Sequence, residues 1–112
     1  MESEERQFLL TAAWIFARHG QRLRARTLME ALCEANPRDG VAAAALAALM
    51  LSEGDAAGAL RVIRKANFPQ TLDRVEAILE TRALNMSGRR AEGAQRWARY
   101  LEARKGGARK WI

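Results

Sequence analysis

The sequence predicts a single all-α domain of three helix-turn-helix repeats, six helices stacked as a right-handed α-solenoid. Three observations lead there. Gly20, Gly54 and Gly88 stand 34 residues apart twice over, and a fixed period of that length is the mark of a stacked repeat array. Other columns share the period: Phe16, Met50 and Leu84 four residues before each glycine, Ala13, Ala47 and Thr81 seven before, Ala25, Ala59 and Gly93 five after, and Met29, Ile63 and Trp97 nine after. Between the glycines the apolar residues recur at helical spacing, and Asp39, Asp55 and Thr71 stand as N-caps ahead of such runs.

These signals place helices at about 4–18, 22–35, 39–52, 56–66, 71–86 and 90–105, in repeats of about 6–39, 40–73 and 74–105. The glycine ends the first helix of each pair with a φ > 0 residue, so the chain can reverse tightly. Small residues on facing helices let two backbones approach, and the large residue one turn later fills the space beside them. Pro37 stops the second helix of the first repeat without breaking it. Phe68-Pro69 comes two residues early by comparison, which predicts a shortened fourth helix. Residues 106–112, which open on Gly106-Gly107 and close on Trp111-Ile112, read as a mobile tail beyond a domain spanning 1–105.

The 34-residue period and its columns resemble the tetratricopeptide family over about residues 6 to 104. Thr81 and Gly93 depart from the alanines usual there, and the third repeat ends without a proline. Such arrays bind proteins, and composition agrees with that class. A chain of 112 residues holds one modest core, and no apolar stretch nears the roughly 20 residues that span a bilayer. The acidic opening, Met1-Glu2-Ser3-Glu4-Glu5-Arg6, lacks the order of a secretory signal, and the single Cys33 suits a reducing compartment, so a cytoplasmic location is expected. Net charge is +6 but unevenly placed: residues 1–81 hold 10 basic and 11 acidic side chains, residues 82–112 hold 9 and 2. The basic third suits an acidic partner surface; no nucleic-acid motif accompanies it.

No catalytic constellation is present. His19, the sole histidine, stands at a helix end where it can cap carbonyls, and Ser3, Ser52 and Ser87 lie at helix termini. Glu30 with Glu34 and Glu76 with Glu80 are i, i+4 pairs, the spacing of solvated helix faces. The expectation is therefore no enzyme, no cofactor and no metal.

What remains is a surface. In stacked pairs the first helices line a concave face. Counted from the glycine column, its residues are Leu10, Trp14 and Ala17; Ala44, Ala48 and Leu51; and Ile78, Arg82 and Asn85. Most are apolar, which points to capture of an amphipathic helix. The segment Val41–Leu51 is apolar nearly all round and expects cover on both sides. Trp14 is the candidate anchor, and the smallness of Ala48 would admit a partner backbone.

Beyond the generic repeat, Arg6-Gln7-Phe8-Leu9-Leu10 followed by Trp14, Gly20, Ala25, Leu28, Ala31-Leu32 and Asn36-Pro37 is similar to the opening of the YscY-type export chaperones of bacterial type III secretion. Gly88, Gly93, Trp97 and Tyr100-Leu101-Glu102 match the spacing of that family's final helix. The resemblance covers about residues 6–37 and 84–103. It implies a cytoplasmic chaperone that binds one small helical secreted protein of the YscX type as a heterodimer and docks with it on the cytoplasmic domain of the export gate. Needle-subunit chaperones of the same machinery share the repeat columns; outside it, the alternatives are a generic repeat adaptor and a basic RNA-associated repeat protein.

Overall fold

The computed structural model describes residues 3–109. Six helices follow one another: α1 (Ser3–Arg18), α2 (Arg22–Ala35), α3 (Gly40–Ser52), α4 (Ala56–Lys65), α5 (Asp73–Met86) and α6 (Arg90–Arg109), with a 3-10 turn at Gln70–Leu72 before α5. No strand occurs among the described residues; one parallel bridge joins Asp39 and Asn67.

The 34-residue period reappears in the hydrogen bonds. Gly20, Gly54 and Gly88 have φ of 76°, 83° and 79°. The residue after each glycine donates its backbone N–H to the carbonyl five residues earlier: Gln21 to Phe16, Asp55 to Met50 and Arg89 to Leu84, each at 2.8 Å. This is the six-to-one closure of a left-handed helix terminus, and it satisfies carbonyls that the ending helix leaves open. The backbone alone closes these turns. The His19 imidazole, expected as a cap, is exposed and accepts or donates no hydrogen bond among the described residues.

The other columns form the core. Ala13, Ala25, Ala47 and Ala59 are fully buried, with Met29, Leu32, Leu46, Leu60 and Ile63 around them. Extensive contacts join each helix to the next in the chain and, in addition, α3 to α5. The principal extents are 43 × 34 × 23 Å. Thr81 takes the alanine position of its column, and its buried hydroxyl has no partner among the described residues.

Two of the three expected N-caps hold. Asp39 accepts from the backbone N–H of Ala42 at 3.2 Å and Asp55 from that of Gly58 at 2.9 Å. Thr71 caps nothing: it lies inside the 3-10 turn, closed by Leu72 N–H to the Pro69 carbonyl at 2.8 Å, and α5 begins at Asp73 without a side-chain cap. The extended backbone at Pro69 is followed directly by that turn, so no separate capping residue is used. At the other end, α6 runs through Gly106 and Gly107 to Arg109, which moves the expected boundary at 105. Neither glycine has a positive φ, so nothing there turns the chain away from the helix. Lys110, Trp111 and Ile112 lie outside the described residues.

Asp39 does a second job. Its carboxylate receives Arg6 Nε at 2.6 Å and Nη2 at 3.0 Å, a two-pronged pair from α1 to the start of α3. The Arg6 hydrogen bond holds the Asp39 carboxyl below its ordinary pKa. A carboxyl depressed by folding stabilises the fold above its unfolded pKa of about 4, and that stability disappears as pH falls through the folded value. Asp39→Asn keeps the cap and removes the charge. With Arg6 one-third exposed, the loss at pH 7 is expected to be about 1 kcal/mol. Urea unfolding at pH 7 and pH 3 checks this: the gap between the native protein and the variant should close at the lower pH. A gap independent of pH would remove the ion pair from the account.

Candidate functional site: a cleft between the first and third helices

α1 and α3 do not pack closely along their length, and this separation creates the site. At one end Arg6 and Asp39 tie the helices together. Beyond that pair a cleft of about 530 Å³ opens, lined by Leu10 and Trp14 of α1 and Val41 and Ala45 of α3, with Met29 of α2 at its floor and Gln7 and Thr11 on its rim. Leu10 and Trp14 are one turn apart, so they stand on the same side of α1. Trp14 is 58% exposed, large for an indole, and the Arg18 guanidinium sits 4.8 Å from its ring centre. That contact holds a positive charge beside a ring that lines the cleft.

α3 explains why the cleft is apolar. Its buried side carries Ala42, Ala43, Leu46, Ala47, Met50 and Leu51. Its other side shows Val41, at 43% exposure, and Ala48, with Ala44 and Ala45 half-buried. The expected cover on both sides is therefore found on one side only. α2, α4 and α5 supply it, and α1 stands off.

Eight of the nine groove residues read from the sequence have accessible surface. Leu10 and Trp14 meet in the cleft, and Ala17 is half-buried one turn further along α1. Ala44 and Ala48 lie along α3, and on α5 Ile78 is 38% exposed with Arg82 exposed one turn on. One is a correction. Leu51 is 3% exposed and belongs to the core, because its direction on α3 points to the neighbouring helices. Asn85 is exposed and its amide also approaches α6, with Oδ1 2.3 Å from where a Cβ on Gly93 would stand. Val41 and Ala45 were missing from the sequence reading, although stepping back from Ala48 by seven and three residues reaches both.

Charged groups outside the cleft are mostly occupied locally. Arg26 pairs with Glu30, Glu53 and Asp55, and Arg96 with Glu80, which Arg64 also approaches. Arg89 pairs with Glu92. In the basic third this leaves Arg82, Arg90, Arg99 and Arg104 without a carboxylate among the described residues. Cys33, half-buried, has its thiol pushed up to about 11, first by burial and then by Asp39 and Glu30, so it is a neutral packing group. Among the described residues no group of three or more possible ligands gathers for a metal, and no helix is long and apolar enough to cross a membrane.

No protein-family model matches the chain, and no curated protein matches it significantly.

Proposed function

We propose that this chain is a protein-binding module of the tetratricopeptide type, working as a cytoplasmic export chaperone of the type III secretion kind. It holds a small helical secreted protein in the groove formed by α1, α3 and α5, and the pair docks on the export gate. The observation that supports this reading most is the uncovered face of α3. An apolar surface of Val41, Ala44, Ala45 and Ala48, flanked by Leu10 and Trp14, costs free energy in water and is relieved by an apolar helix laid along it. The small alanines would let the partner backbone come close, and Trp14 supplies area at the edge. Arg82 stands at the α5 side to meet a partner carboxylate. The resemblance over residues 6–37 and 84–103 supports the choice of machinery, and the unpaired arginines of α6 suit an acidic docking surface.

Two variants test the groove by opposite means. Trp14→Ala removes an anchor and is expected to weaken capture of a co-expressed YscX-type client by about 2–4 kcal/mol. Ala48→Phe fills the groove and is expected to abolish capture, while exposed Ala48 leaves the fold unaffected. Arg61→Ala on exposed α4 surface serves as the control. Pull-down with helix content followed by circular dichroism reads all three. If both groove variants remain folded and bind as the control does, the client is held elsewhere.

A further inference from the structure

A second face of α1 is also uncovered, and its pattern is unlike that of the cleft. Glu4, Phe8, Thr11, Ile15 and Arg18 are spaced four, three, four and three residues apart, which puts them on one stripe of the helix. All five are exposed, Phe8 by 71% and Ile15 by 45%. Phe8 and Ile15 take no part in the cleft or the core cluster. α1 packs mainly on α2, so this stripe has no neighbouring helix among the described residues.

The stripe is nearly self-complementary when reversed. Phe8 and Ile15 are centred between Thr11 and Ala12, and Glu4 and Arg18 are centred on Thr11, half a residue away. A two-fold axis between Thr11 and Ala12 would lay α1 antiparallel on a second α1, with the long Glu4 and Arg18 side chains spanning the one-residue offset. Phe8 of each copy would then meet Ile15 of the other, and Glu4 of each would meet Arg18 of the other. A two-fold interface must complement itself in this way, whereas an unrelated partner would impose no such symmetry. Glu4 has no ion pair among the described residues, and Arg18 engages only the Trp14 ring. The antiparallel arrangement also opposes the two helix dipoles favourably.

We infer that this stripe of α1 is a homodimer interface whose occupant is the same stripe of a second copy. It borders the groove at Thr11 and, through Arg18, at Trp14, while the α3 residues Val41, Ala44, Ala45 and Ala48 lie outside the stripe. Self-association of this kind is stabilised by burial of two Phe8 and two Ile15 side chains and oriented by the four charges.

Sedimentation equilibrium of the purified chain tests this. The native protein is expected to form a dimer over micromolar to submillimolar concentrations. Phe8→Glu should raise the dimer dissociation constant roughly tenfold to a hundredfold, with helix content unchanged because Phe8 is mostly exposed. Glu4→Arg should also weaken the dimer, and adding Arg18→Glu to the same chain should restore it by reversing both ends of each pair. A native chain that stays monomeric, a Phe8→Glu variant that dimerises as tightly as the native chain, or a failure of the double reversal to recover the loss from Glu4→Arg would each overturn the inference.

Discussion

Ile63→Ala is expected to lower the free energy of unfolding by about 3–4 kcal/mol. Ile63 is the largest fully buried side chain, and it sits on the inner side of α4 with Ala59 and Leu60. Truncation removes three carbons from water-free packing and leaves a cavity. The same core cluster contains Ala47, Ala56, Ala59 and Ala83, side chains too short to reach into the vacated space, so relaxation recovers little. A domain of this size has only about 5–15 kcal/mol in total, which makes the loss a large fraction of its stability. Leu23→Ala is the matched control: Leu23 is 78% exposed, and its truncation should change stability by less than about 0.5 kcal/mol. Urea titrations followed by circular dichroism measure both. Equal midpoints for the two variants would refute the account of the core.

Gly40→Ala is expected to destabilise the fold by about 2 kcal/mol, against the usual direction for glycine to alanine at the start of a helix. Helix propensity by itself favours alanine there. The loop after α4 decides otherwise, because it crosses directly over the first turn of α3. A Cβ on Gly40 would lie 2.7 Å from Phe68 Cα, 2.8 Å from the Asn67 carbonyl oxygen and 2.9 Å from Pro69 Cδ. The first two are backbone atoms, and the Asn67 N–H is held to the Arg38 carbonyl at 2.9 Å, so the loop cannot step aside without losing that bond. Gly106→Ala gives the contrasting case. Nothing lies within 4 Å of a Cβ there, so the substitution should leave the core unaffected and stabilise the end of α6 by about 0.5–1 kcal/mol. Thermal unfolding of the two variants separates packing from propensity: a Gly40→Ala protein as stable as the native one would show that the loop yields.

The fate of the groove residues follows the same division between local and distant causes. Turns at Gly20, Gly54 and Gly88 were legible because the reversal needs a positive φ that glycine adopts readily, a property of one residue and its immediate neighbours. Caps at Asp39 and Asp55 were legible for the same reason, since the acceptor and the donor lie three residues apart. The buried alanine columns followed from the period, because small residues at equivalent places on successive helices let neighbouring backbones approach. Membership of the groove was harder. Leu51 and Ala48 are both apolar and three residues apart on α3, and only the approach of the other helices puts one in the core and the other in the open.

What the sequence determined by itself, then, is the order of the helices, the three glycine turns between them, and which positions repeat, all consequences of backbone preferences acting over a few residues. The tertiary structure alone decided how far α1 stands from α3, the turn of Asn85 toward Gly93, and the closeness of Phe68 to Gly40. Those outcomes depend on the distances at which side chains from separate helices stop one another, and such distances are set by shape and volume summed over the whole core rather than by any local run of residues.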